Sequence, residues 1–182
     1  MEVALINKTA LIDNSPIADN AVITKFIPYV LIAQKLFLLP ILGRPLYEEL
    51  QTQIKAADVE PAPDPYPITP HNQALLIEIA PALAFYTVYQ GLPFHWASVL
   101  NKGVTLLSSE NSDPVAVDDI AQLRRWIKDD AQTLAGELLK YLEKCAINYP
   151  LWAAPGGGTC GKPAPSPVDD DHGIFIPKRR AR

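Results

Sequence analysis

The sequence has few of the residue types that usually build metal-binding or disulfide-stapled proteins. Its 182 residues include two cysteines, Cys145 and Cys160, and three histidines. Two cysteines this far apart argue against a disulfide scaffold and do not have the spacing of a zinc site. They fit a reducing compartment, and we expect Cys145 to be buried as a small hydrophobic residue.

The patterns of a secreted or membrane-inserted chain are also missing. Residues 1–9 have neither the charged start nor the apolar run of a signal peptide. The most apolar stretch, 26–42, contains Gln34, Lys35 and two prolines, and we interpret it as not spanning a membrane. We therefore expect an intracellular protein, at least when it is made.

No group of residues matches a familiar catalytic motif. Residues 156–162 have the glycine–lysine spacing of a phosphate-binding loop, but Pro163 stands where the chemistry needs a magnesium-binding hydroxyl, and no strand precedes the loop. We interpret the acidic run with a histidine at 169–172 as a solvated patch. Neighbouring carboxylates such as Glu48 and Glu49 point about 100° apart on a helix and cannot form an acid–base pair. The sequence predicts no enzyme, no cofactor and no metal.

The charge is unevenly distributed. The net charge of −4 divides into about −6 for the body and about +2 for the tail that starts at Pro150. An acidic body argues against a dedicated nucleic-acid binder, and such asymmetry is typical of an interaction tail. With 48% hydrophobic residues, the chain can bury a real core.

Apolar residues at three- and four-residue spacing predict a mainly α fold: a small bundle of about four helices with a long C-terminal helix, extended loops and a Pro/Gly-rich C-terminal arm. The predicted helices cover residues 26–38, 44–56, 71–90 and 117–147. The third is apolar nearly all round, which indicates a central helix. Pro40 and Gly43 should break the chain after the first helix, and residues 91–93 should end the third.

The remaining segments are predicted to be arms and loops. Residues 1–19 should form a loosely held N-terminal arm, 20–150 the helical domain, and 151–182 a flexible Pro/Gly-rich C-terminal arm. The proline-rich stretch 59–70 should be an extended loop. A short helical piece at 94–100 and a hairpin around residues 101–107 are further expectations.

Several short stretches carry a resemblance across about residues 20–152. In chain order they read FIPY (26–29), AQK (33–35), LPILGRPLYEEL (39–50), PALAFY (81–86), LPF (92–94), NKGV (101–104), SENS (109–112), YL (141–142) and NYPLW (148–152). Their order and spacing resemble phage head–tail connector (head-completion) proteins, most closely those of crAss-like and related phages of Bacteroidetes hosts. The tail lies outside this similarity.

The resemblance implies a structural virion protein of the phage neck, assembled in the host cytoplasm. Such a helical connector domain forms a ring, usually of about twelve copies, that joins the portal to adjacent tail or neck ring proteins. Genomic DNA would pass through the channel without sequence-specific binding, and no membrane or enzymatic activity is implied.

Loop and tail residues are the candidates for subunit or partner contacts. The apolar run at 174–176 would be costly to expose unless it adds to a neighbour's sheet edge or groove, and the basic end could contact phosphate or an acidic partner. The candidates are Asn101, Lys102, Gly103, Glu110, Asn111, Ser112, Ile174, Phe175, Ile176, Lys178, Arg179, Arg180 and Arg182.

Two alternatives stay open at this point. A helical nucleic-acid-binding or regulatory protein is favoured by the basic end and by the pair Arg124 and Arg125, and is opposed by the acidic body. Steep salt dependence in a gel-shift assay would support it. A nucleotide-dependent enzyme would use residues 156–162, and loss of nucleotide binding in Lys162→Ala would support that reading.

Deletion of residues 168–182 should leave the helical domain folded while weakening incorporation into particles. Circular dichroism checks the first outcome, and the protein content of purified particles checks the second. A truncated chain that unfolds would contradict the assignment of these residues to an arm.

Overall fold

The computed structural model describes residues 2–17, 23–58, 67–100, 103–106 and 117–155 and confirms a mainly α fold. The elements in chain order are α1 (Lys8–Asp13), α2 (Ile27–Ala33), a π-helical turn (Gln34–Leu38), α3 (Leu39–Leu42), α4 (Arg44–Ala57), α5 (Pro70–Trp96), β1 (Ala97–Leu100), β2 (Gly103–Leu106) and α6 (Val117–Lys144). Single 3₁₀ turns lie at Ile23–Lys25 and Ala146–Asn148.

Helix α5 is the centre of the fold. Its buried side chains lie on several faces, which explains why its sequence has no continuous polar side, and it packs mainly against α6 and α2. The prediction of a central helix is therefore confirmed. The buried residues of α5 include Leu75, Ile79, Leu83, Tyr86, Thr87 and Val88.

Two helical stretches, Ile23–Leu42 and Pro70–Phe94, are long and apolar enough to cross a membrane by length and composition alone. In the most apolar part of the second stretch, 56% is buried inside the protein. In the first stretch the buried share is 33%. Core helices of globular proteins pass the same test, so length and composition alone do not identify either stretch as a membrane span.

Helix α6 presents one apolar stripe to the core. Ile127, Ala131, Leu138 and Leu142 are buried, and acidic residues occupy the first turn, where the helix dipole favours them. The stripe is less complete than its spacing suggests, because Leu123 is 40% exposed. At about 1.5 Å per residue, α6 is roughly 42 Å long.

The predicted end of the first helix at Pro40 is wrong. Pro28 lies in the first turn of α2, as expected, where its missing N–H costs no hydrogen bond. The helix then widens into the π-helical turn and continues through Pro40 to Leu42. In the wider turn the N–H of Leu39 donates to the carbonyl of Gln34, five residues back. Pro40 then lies in the first turn of α3, where its missing N–H costs no hydrogen bond. Gly43, with φ of 73°, ends the helix.

The predicted end of α5 at residues 91–93 is also wrong. Pro93 has no N–H for the carbonyl of Tyr89, four residues earlier, which would leave that carbonyl without its helical partner. The Nε of Arg124 donates to this carbonyl at 3.2 Å. Its guanidinium also lies 4.1 Å from the centre of the Tyr89 ring. A side chain of α6 thus replaces the missing backbone donor.

The predicted hairpin is confirmed, and the helical piece predicted at 94–100 is only partly helical. Helix α5 ends at Trp96, and β1 follows at once. Strands β1 and β2 pair antiparallel, with Ala97 opposite Leu106 and Leu100 opposite Gly103. The β-branched residues Val99, Val104 and Thr105 favour the ladder over continued helix.

The expectation of a loosely held N-terminal arm is wrong for residues 2–17. Leu5, Ile6 and Leu11 are part of the main core, and α1 contacts α5. Helix α1 is capped by Asn7, whose side chain accepts a hydrogen bond from the N–H of Ala10 at 2.8 Å. These residues belong to the packed body because their apolar side chains complete it.

The beginning of the predicted C-terminal arm is attached as well. The indole Nε1 of Trp152 donates to the carbonyl of Ile41 at 2.9 Å. Just before the arm, the hydroxyl of the buried Tyr149 donates to the carbonyl of His71 at 2.8 Å. Cys145, expected to be buried, is partly buried against the core. Residues 156–182, most of the predicted arm, lie outside the described residues.

Gly91→Ala should destabilise the protein, because an added Cβ would lie 2.6 Å from Cδ1 of Phe26 and 3.1 Å from Cδ2 of Tyr29. We expect a loss of about 1–3 kcal/mol in the free energy of unfolding, measured by urea denaturation. Gly136→Ala in α6 is the matched control: it has open space around it and should gain about 0.5–1 kcal/mol from helix propensity. Equal stability changes at both glycines would contradict the close packing of α2 on α5.

Candidate functional site

Three polar side chains are buried together where the N-terminal segment crosses the helical body. Gln34 is 0% exposed, and Gln51 and Tyr47 are each 5% exposed. Gln34 is the first residue of the π-helical turn, while Tyr47 and Gln51 lie one turn apart on α4. We call these three residues the main-chain clamp, because the two glutamines bind backbone atoms of the N-terminal segment.

The clamp holds the N-terminal segment by four hydrogen bonds. Gln51 binds both sides of one residue: its Oε1 accepts from the N–H of Val3 at 2.7 Å, and its Nε2 donates to the carbonyl of Val3 at 2.6 Å. The Oε1 of Gln34 accepts from the N–H of Leu5 at 2.7 Å, and its Nε2 donates to the carbonyl of Val3 at 3.1 Å.

A carboxamide carries the same donor and acceptor as a peptide group, so the two glutamines replace the neighbouring strand that an extended segment would otherwise need. The Tyr47 hydroxyl closes the cluster by accepting from Nε2 of Gln34 at 3.1 Å. Burial raises the pKa of the Tyr47 hydroxyl, and the hydrogen bond from Gln34 opposes part of that rise. The clamp therefore carries no charge at neutral pH, and its two carboxamides are paired with the N-terminal segment and with Tyr47.

Charged side chains form the outer edge of the clamp. The Nζ of Lys35 lies 2.7 Å from a carboxylate oxygen of Glu2, and this contact raises the pKa of Lys35. An open groove of about 620 Å³ adjoins this pair and is also lined by Arg44, Glu48 and Lys55. Arg44 pairs with Glu48 at 3.5 Å. Because the groove carries both signs of charge, it offers a polar contact surface rather than a site for one kind of ion.

Large apolar side chains are exposed where α5 ends. Ile27 is 45% exposed, Phe94 55% and Trp126 59%. Tyr29 stacks on Phe94 with ring centres 5.6 Å apart, which brings α2 to this end of α5. The contact between Arg124 and Tyr89 brings the first half of α6 to the same end. Trp126 lies two residues after Arg124, about 200° around the helix, so it is exposed on the outer side of α6 at this end. We call this region the Phe94 end.

A second group is exposed where α5 begins. Ile77 is 71% exposed, Ile147 92% and Leu151 46%. The hydrogen bond between Tyr149 and His71 holds the segment after α6 beside the first turn of α5. We call this region the Ile77 end. It lies about 25 Å from the Phe94 end, since 17 residues of helix separate Ile77 from Phe94.

Of the predicted contact residues, Gly103 is described as the first residue of β2, opposite Leu100. The others lie outside the described residues, as do the glycine-rich loop at 156–162 and the acidic run at 169–172. Within the described ranges, no three His, Cys, Asp or Glu side chains come together in a group that could hold a metal ion. The predicted contact residues in loops and tail therefore stay predictions.

Sequence reasoning missed the clamp, although a signal was present. Gln34 continues an apolar stripe of α2 at helical spacing, and a polar residue in such a position often has a buried partner. Its partner, Val3, lies 31 residues away, a distance that no local pattern reveals. The role of Arg124 was also missed. Arg124 binds the carbonyl of Tyr89 in α5. One of the two arginines that favoured a nucleic-acid binder therefore has a role inside the fold.

Gln34→Leu should destabilise the protein by about 1–3 kcal/mol, because it leaves the N–H of Leu5 unpaired in a buried position. Urea denaturation measures the loss, and hydrogen exchange at the Leu5 amide should become faster than at amides in α6. Gln132→Leu, at an exposed position of α6, is the control and should change stability by less than about 0.5 kcal/mol. Unchanged protection at Leu5 would contradict the clamp.

Comparison with known proteins gives one family. Neither a curated protein nor a solved structure matches the chain. A family of unknown function (DUF6712) matches residues 38–162, which is more than half of the chain's 182 residues. The matched range begins at the last residue of the π-helical turn and includes α4, α5 and α6. The chain belongs to this family, DUF6712, whose function is unknown.

Proposed function

We propose that the protein is a structural subunit of a ring in the neck of a tailed phage, where it joins the portal to the tail and continues the DNA channel. The observation that carries the proposal is the exposure of large apolar side chains near both ends of α5, with Ile32 and Leu36 exposed as well. Such side chains are costly to leave in water in groups, and they commonly mark surfaces that another chain covers.

Two different surfaces on one subunit suit a head-to-tail contact. In such a contact the surface of one copy meets a different surface of the next, and a ring forms when the rotation between copies divides a full turn. The Phe94 end and the Ile77 end are different in composition and about 25 Å apart along α5. A two-fold dimer would need only one self-complementary surface, so the presence of two favours a ring.

The packed body between the two ends holds them at a fixed distance and orientation. Helices α5 and α6, of 27 and 28 residues, pack side by side along most of their length. Phe37 stacks on Tyr86 with ring centres 4.1 Å apart, which fixes the π-helical turn against α5. The ring, the portal contact and the absence of catalysis come from the sequence resemblance, and the exposed ends support the assembly.

The direct test is to image the purified chain by negative stain and to weigh it by native mass spectrometry, alone and with the portal protein encoded in the same genome. We expect closed rings of uniform copy number, at least when the portal is present. Monomers that never associate, with or without portal, would contradict the proposal. Turnover of a substrate by the isolated chain would also contradict it.

Trp126→Glu should weaken ring formation at least tenfold in subunit concentration, because it places a charge in a contact built on an exposed aromatic residue. The folded body should keep its helical circular dichroism, since the Trp126 side chain is 59% exposed. Gln132→Glu changes the charge of α6 by the same amount at an exposed polar position and serves as the control. If both variants assembled equally well, the Phe94 end would not be part of the ring contact.

A further inference from the structure

The N-terminal segment is bound as a separate peptide ligand would be. Its hydrogen bonds to the clamp come from backbone atoms of Val3 and Leu5. The side chains of Leu5, Ile6 and Leu11 fill the core beside the clamp. Backbone hydrogen bonds combined with apolar side chains in pockets are the usual way in which proteins bind an extended peptide.

The clamp needs an occupant in every folded copy. Without the segment, Gln34 and Gln51 would lose these four hydrogen bonds, and the core beside them would lose the side chains of Leu5, Ile6 and Leu11. Exposing that apolar core to water is costly. The clamp makes the same bonds whether the segment belongs to its own copy or to another, so exchange between copies would lose no contact.

Chain length limits how far away the neighbour that supplies the segment can be. Five residues, 18–22, join Ile17 to Ile23, so an extended connection reaches roughly 20 Å. The chain re-enters the body at Ile23, one helical turn before Ile27 of the Phe94 end. An exchanged segment would therefore leave its own body beside the surface that the proposed ring contact uses.

We propose that in the assembled ring the clamp of each copy holds residues 2–17 of a neighbouring copy. This inference rests on the proposed ring, in which each copy gives one segment and receives one. Ring closure then fills every clamp from a neighbour, whereas an open row leaves the clamp at one end without such a segment. The exchange adds the contacts of Val3, Leu5, Ile6 and Leu11 to each subunit interface.

The ion pair between Glu2 and Lys35 provides a test on the unaltered chain. A water-soluble carbodiimide activates a carboxylate, and the nearby amine displaces the activating group to form an amide, with the lost water taken up by the carbodiimide. The two groups are 2.7 Å apart, and both side chains are partly exposed, at 39% for Glu2 and 55% for Lys35. The resulting link records which copy filled the clamp.

Light and isotopically heavy copies are mixed in equal amounts as dissociated chains, assembled with the portal, treated with carbodiimide, and digested for mass spectrometry. Exchange predicts that about half of the Glu2–Lys35 links join a light peptide to a heavy one. The pair Glu137 and Lys140, 2.7 Å apart within α6, cannot exchange, so mixed links there measure accidental coupling. Glu2→Gln should abolish the first link and leave the second.

The outcomes separate exchange from ring formation. Rings in which every Glu2–Lys35 link stays within one isotope would overturn the exchange while leaving the ring intact. Mixed links in particles that are not rings would support exchange and count against the proposed function. If neither rings nor mixed links form, both proposals are contradicted.

Discussion

The structure depends on one constraint: α5 is apolar on nearly every side and has to be covered. Helix α6 covers one side with its stripe around Leu138 and Leu142, and α2 covers another. The N-terminal residues Leu5 and Leu11 complete the same core. A helix of this kind cannot be stable alone in water, so the chain before it and the chain after it fold around it together.

Covering α5 creates a second requirement, because backbone groups of the surrounding segments come to lie partly inside the protein. Side chains supply the missing partners in each case. Gln34 and Gln51 satisfy the backbone of Val3 and Leu5, and Arg124 satisfies the carbonyl that Pro93 leaves open. Trp152 does the same for Ile41. These bonds join segments far apart in sequence, and each gives a buried or part-buried polar group a hydrogen-bond partner.

The sequence was a good guide to elements with a regular pattern and a poor one to long-range contacts. Spacing alone predicted α4, the central α5 and the long α6 to within a few residues, except that α5 extends past Pro93. Prolines were misleading because their effect depends on partners: a widened turn accommodates Pro40, and Arg124 compensates for Pro93. The N-terminal segment looked like an arm because nothing local indicates that Gln51, 48 residues away, will bind it. The two exposed apolar ends could not be foreseen either, since spacing does not tell which of two apolar residues is covered.

The apolar side chains that the fold leaves exposed connect the structure to the proposed function. Trp126 and Ile147 are exposed at opposite ends of the body, and a subunit between two neighbours would use such surfaces for contact. The most direct measurement is a cryo-electron microscopy reconstruction of the neck of purified particles from the source of this sequence. The account predicts a closed ring of this chain next to the portal, with the Phe94 end of one copy facing the Ile77 end of the next. Particles whose neck lacks this chain, or a ring in which both ends face solvent, would contradict it.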